Sequence, residues 1–80
     1  MNVKEAVVFR FQEICRERNI TYNELASISG VTPSSVYSMM NPARENVSVS
    51  LIKKLCDGLQ ISLGEFFSAK EFEELDQEIR

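Results

Sequence analysis

Residues able to do covalent or acid–base chemistry are few in this chain and poorly grouped. Among its 80 residues there is no histidine, and neither of the two cysteines, Cys15 and Cys56, has an obvious partner base in the sequence. A nucleophile needs such a base, and a metal needs several clustered ligands. The acidic side chains are dispersed at positions that helices turn to solvent. An enzyme is therefore not expected, and neither is a cofactor or a metal site. What remains is hydrogen bonding. Thr32, Ser34, Ser35, Tyr37, Ser38 and Asn41 crowd one short stretch around Pro33. Hydroxyls and amides of this kind bond base edges and phosphate oxygens.

The elements that must hold those side chains lie between Thr21 and Asn41. Thr21 with Glu24 forms a capping box for a helix over about Tyr22–Ser29. Leu25, Ala26 and Ile28 are its apolar stripe, and Gly30 supplies the positive φ that ends it. Thr32 caps the next helix, about Pro33–Asn41, with proline at the first position, where a missing N–H costs nothing. Val36, Met39 and Met40 recur at helical spacing on its inner face, which leaves the hydroxyls and Asn41 outside. Two short helices joined this way form either an ordinary αα-hairpin or a helix-turn-helix, whose second helix can enter a DNA major groove.

Around this pair the chain reads as helical throughout. Val3, Val7, Val8, Phe11, Ile14 and Cys15 mark a first helix over about Val3–Arg18. Arg16 and Arg18 suit its last turn, and Asn19 suits a left-handed end. Asn41-Pro42 stops the third helix, and a loop carrying Arg44 and Asn46 follows. Ser48 caps a fourth helix with Val49, Ile52, Leu55, Cys56 and Leu59 inward. Gly58 costs that helix about 1 kcal/mol against alanine, which signals close packing or an early end. Ser62 with Glu65 is a second capping box and opens a fifth helix, whose Phe66 and Phe67 are expected against the first. Phe72, Leu75 and Ile79 continue a helical stripe through an acidic tail, which either folds back over the first helix and Val3 or pairs with a second copy of the chain.

Composition bounds the rest. A chain of 80 residues is one small domain, and with 44% hydrophobic and 26% charged residues it is not expected to be disordered. No apolar run reaches membrane-spanning length and no leader pattern opens the chain, so no membrane association and a cytoplasmic location are expected. Two distant cysteines make no disulfide framework, and buried free thiols are the expectation. The net charge of −3 is concentrated in residues 70–80, because residues 1–69 hold seven cations against seven acids. A neutral body binds phosphates only where its cations cluster, with a shallow salt dependence.

From Val8 to Phe67 the chain resembles the Cro/phage-repressor helix-turn-helix family, also called the XRE family. The resemblance rests on Phe11 and Ile14 before Arg18-Asn19-Ile20, then Leu25-Ala26, Gly30-Val31-Thr32 and Val36. Ile52, Leu55 and Leu59 follow, then Ile61-Ser62-Leu63 ahead of Phe66 and Phe67. It implies an all-α, five-helix repressor-type domain, placed at residues 1–69, to which the apolar stripe and charge pattern of residues 70–80 add a helical acidic tail. Its implied function is sequence-specific binding of double-stranded DNA as a transcriptional regulator, a repressor on a palindromic operator. The implied reading residues are Thr32, Pro33, Ser34, Ser35, Tyr37 and Ser38, with Tyr22, Asn41 and Arg44 clamping the backbone. Family habit also implies a homodimer through the fifth helix and tail, using Phe67, Phe72, Leu75 and Ile79, and no small-molecule ligand.

Several positions depart from the family. Tyr22 stands where a glutamine is usual, and Pro33, Ser34 and Ser38 replace longer side chains, so direct base discrimination should be weak. Cys15 and Met40 occupy the places of a semi-buried arginine–glutamate pair and are expected to touch as apolar substitutes. These departures leave open a second reading, a helix-turn-helix fold used to bind a protein, as in an antitoxin or an adaptor.

Overall fold

The computed structural model describes residues 1–79, and these form five α-helices and one 3₁₀ turn with no strand. Helix α1 spans Val3–Arg18, α2 Tyr22–Ser29, α3 Pro33–Met40, α4 Val49–Leu59 and α5 Leu63–Phe67, and the 3₁₀ turn covers Lys70–Glu73. No described helix is long and apolar enough to cross a membrane.

Local chemistry accounts for most of the helix ends. Asn2 opens α1 through a reciprocal box with Glu5, at 2.8 and 2.9 Å. The expected Thr21–Glu24 box opens α2, with the Glu24 N–H donating to Thr21 at 3.1 Å and the Thr21 N–H to Glu24 at 2.9 Å. Ser48 and Ser62 accept from the N–H groups of Leu51 and Glu65 at 3.1 and 3.0 Å. At Ser62 only that half of the expected box forms among the described residues. Asn19, Gly30 and Gln60 adopt φ of 55°, 67° and 60° and end α1, α2 and α4. Helix α3 stops at Met40, one residue short of expectation, because Pro42 drives Asn41 to an extended φ/ψ of −68°/119°.

The core gathers one face of each helix: Val7, Phe11, Ile14 and Cys15 from α1, Leu25 and Ala26 from α2, and Val36 and Met39 from α3. Ile52, Leu55, Cys56 and Leu59 of α4 and Phe66 of α5 complete it. Met40 is half-buried and packs against this cluster, to which Cys15 belongs. Four apolar expectations are corrected. Ile28 is exposed because the buried face of α2 is centred on Leu25, Ala26 and Ser29, and Ile28 lies round the side. Val49 is exposed in the first turn of α4, one turn before the core closes around Ile52. Val3 is exposed while its neighbour Lys4 turns inward. Phe67 is partly exposed, since the short α5 has one inner face and Phe66 fills it.

The tail also differs from the expected continuous helix. It makes one 3₁₀ turn and then runs without helix, folded back onto α1. Phe72 lies 5.7 Å from the Phe66 ring and 4.9 Å from Phe67, and the Asp76 N–H donates to the Met1 carbonyl at 3.1 Å. Phe66 in turn stacks at 4.4 Å on Phe11.

Helix α1 ties the other helices together with cations as well as with apolar contacts. Lys4 donates to the carbonyls of Asn41 and Arg44, at the end of α3. Arg10 donates to the Phe66 carbonyl at 3.1 Å, at the end of α5, and Arg18 to the Leu59 carbonyl at 2.6 Å, at the end of α4. Each places positive charge where a helix dipole is negative and its carbonyls lack partners.

Gly58 marks a close helix approach, one of the two readings of this residue. A Cβ there would meet Ser29 Oγ at 2.2 Å, Ser29 Cα at 2.9 Å and the Ile28 carbonyl carbon at 3.0 Å. Backbone cannot yield as a rotamer can, so Gly58→Ala should destabilise by about 1–3 kcal/mol in urea unfolding despite alanine's better helix propensity. Adding Ser29→Ala should not restore it, since the backbone contacts persist.

Both cysteines are buried and free. Burial pushes the Cys15 thiol up, and burial with the neighbouring Asp57 carboxylate pushes Cys56 from 9.0 to about 11. The folded chain therefore holds these protons more tightly than the unfolded chain does. Their contribution to stability is intact below pH 9.0 and falls as the pH rises toward about 11. Urea midpoints across that range should show this fall, and Cys56→Ala should reduce it.

Candidate nucleic-acid interface

Helix α3 is two turns long and packs against α2, with its inner face, Val36 and Met39, buried in the core. That burial fixes which side chains point out. Ser34, Tyr37 and Ser38 are exposed and Ser35 is half-buried. At the helix start Thr32 Oγ1 shares hydrogen bonds with Ser35 Oγ at 2.9 Å and Ser34 Oγ at 3.1 Å, and accepts from the Ser35 N–H at 3.3 Å. Three of the expected reading hydroxyls thus form one cluster around the cap, beside the exposed ring of Pro33.

Tyr22, at the start of α2, meets Tyr37 edge to face, with ring centroids 5.6 Å apart and planes at 74°. The exposed Tyr37 ring therefore has a partner that limits its freedom. Asn41 is the C-terminal cap of α3, and its side-chain oxygen accepts from the Ala43 N–H at 2.9 Å. Its carbonyl accepts from the Arg44 N–H at 3.1 Å, which closes a turn through Pro42 and Ala43.

Ser34, Ser35, Ser38 and Arg44 line one open groove of about 320 Å³, with Asn46, Ser48 and the apolar Met39, Val47 and Leu51. Arg44 is its one charged lining residue, and no carboxylate is present. The structure thus brings the three predicted serines of α3 and Arg44 to one groove, with Tyr22 and Tyr37 as a second group on the same helix pair. Pro33 and Asn41 mark the two ends of α3.

Four other cations are committed elsewhere. Lys4, Arg10 and Arg18 bond helix-end carbonyls, Arg10 also pairs with Glu13 at 3.3 Å, and Lys53 pairs with Asp57. Asn46, Ser48 and Lys4 were missed as contributors to this region. The overlooked signal for Lys4 was its register, seven residues before Phe11 and eleven before Cys15 on the buried stripe of α1. No cluster of three or more potential metal ligands occurs among the described residues.

A family model described as the Cro/C1-type HTH DNA-binding domain matches residues 10–71. The chain is also similar to the crystal structure of the prophage Lp1 protein 11, with a TM-score of 0.80 and 28% identity. That likeness covers 94% of this chain and 100% of that one. No curated protein matches the sequence. The capped α2–Gly30–α3 pair lies inside the matched span and carries a polar outer face over a buried inner one. The chain therefore belongs to the Cro/C1-type helix-turn-helix family of DNA-binding regulators, which are not enzymes.

Proposed function

We propose that this DNA-binding regulator is a sequence-specific repressor that occupies a palindromic operator as a homodimer, with α3 in the major groove. The observation that carries the reading is the groove along the outer face of α3, lined by Ser34, Ser35, Ser38 and Arg44 and free of carboxylates. Hydroxyls there bond base edges or phosphates, and the N-terminal turns of α3 and α4 favour phosphate oxygens. Thr32, Pro33 and Tyr37 offer apolar surface to thymine methyls, while Tyr22, Asn41 and Arg44 hold the backbone. With no long bidentate side chain on α3, each base position contributes little discrimination.

Dimerisation uses α5 and the tail. Phe67 and Ile79 present exposed apolar surface there, supported by the half-buried Phe72 and Leu75. The likeness to a prophage protein supports a phage-type regulator acting in the cytoplasm. The acidic tail, residues 70–80, disfavours nonspecific DNA by repulsion.

The test is selection of duplexes from a random-sequence pool, followed by titration across salt and sedimentation of the free protein. A palindrome is expected, bound by two chains, with affinity lost in Tyr37→Ala and dimerisation lost in Phe67→Asp. Weak binding equal for all sequences would overturn the reading and turn attention to a protein partner.

A further inference from the structure

We propose that Lys4 is a positioning residue for DNA binding: its buried ammonium braces the turn Asn41–Arg44 and so sets how Arg44 approaches the phosphate backbone. The inference rests on the proposed role of Arg44 as a backbone clamp.

Lysine is almost never buried unless paired, yet Lys4 is 4% exposed. Among the described residues no carboxylate pairs with it. Its ammonium donates instead to two carbonyls, Asn41 at 2.9 Å and Arg44. These two residues are the first and last of the turn closed by the Arg44 N–H on the Asn41 carbonyl. The ammonium thus spans the turn across its two ends. It also sits at the C-terminal end of α3, where positive charge is favoured.

The turn has little else to hold it. Residues 41–46 are all exposed, and the half-buried Val47 is the first residue after α3 that packs against the core. Pro42 and the Asn41 side chain shape the turn locally. Neither fixes its position relative to α1. Lys4 supplies that long-range tie, 40 residues away in sequence from Arg44. An apolar residue at position 4 would serve the stripe of α1 as well as lysine does, so the charge is explained by what it bonds. Because its side chain is sealed in, Lys4 acts through Arg44 and not by touching DNA.

The test compares wild type with Lys4→Met, the milder Lys4→Gln, Arg44→Ala and the Lys4→Met/Arg44→Ala pair. Unfolding curves first confirm which variants are folded at the working temperature. In the free protein, Lys4→Met should speed amide exchange at Arg44 about tenfold or more while core amides of α2 and α4 keep their protection. On the selected operator it should weaken binding about tenfold per folded molecule. In the double variant it should add little beyond Arg44→Ala, because both changes remove one contact. Should Lys4→Met fail to fold, Lys4→Gln carries the same comparisons with smaller changes. Unchanged exchange at Arg44 overturns the brace. Fully additive losses overturn action through Arg44. If the pool yields no preferred duplex, the repressor reading falls by itself, and the exchange measurement still decides whether Lys4 holds the turn.

Discussion

Phe66→Ala should cost about 3–5 kcal/mol of folding free energy, a large part of what an 80-residue chain holds. At typical values per residue the whole domain is stable by about 4–12 kcal/mol. The cost is high because Phe66 has no exposed surface and organises four other groups. Its ring stacks on Phe11 at 4.4 Å, meets Phe67 at 5.0 Å and Phe72 at 5.7 Å, and lies 6.0 Å below the Arg10 guanidinium. Truncation opens a cavity at the junction of α1, α5 and the tail, and these three segments cannot close together to fill it. The measurement is urea unfolding followed by helical circular dichroism. Phe67→Ala is the control: its ring is 38% exposed, and the loss should be well below that of Phe66. Equal losses would show that α5 is held by its outer face and not by its inner one.

Arg44→Ala should weaken operator binding by about 3 kcal/mol or more across two half-sites, a hundredfold or greater. The expectation follows from how the cations are distributed. Lys4, Arg10, Arg18 and Lys53 are engaged with helix ends or a carboxylate, and Arg44 is the one charge lining the groove beside α3. Few phosphates can then be neutralised, so the wild-type salt slope should be shallow. Removal of Arg44 should lower that slope by about one per protomer, equally for all sequences. The check is a titration series at several salt concentrations. A steep slope that survives Arg44→Ala would show that phosphates are met by other cations, such as Arg16 or Lys54. A slope near zero in the wild type would favour a protein partner for this surface.

The place of Arg44 after α3, and the family resemblance, mark it from sequence alone. Its importance grew once the structure showed where the other cations go. Phe66 was expected inside, but so was Phe67, and only packing separated them.

That contrast holds along the chain. Helix starts at Thr21, Thr32, Ser48 and Ser62, and helix ends at Asn19 and Gly30, were legible because each depends on residues within about four positions. The turn at Asn41-Pro42 was legible for the same reason, apart from the one-residue shift forced by proline. The outer face of α3 could be read too, since Val36 and Met39 define the inner one. Tertiary structure alone decided where side chains met partners distant in sequence. It placed Lys4 under the Asn41–Arg44 turn, Arg10 and Arg18 on the ends of α5 and α4, and Tyr22 against Tyr37. It turned Ile28 and Val49 outward, and it decided between the two courses open to the tail by folding it back along α1. A helical period states which residues share a face, whereas the neighbours of that face are set by how helices cross, and no window of a few residues contains that geometry.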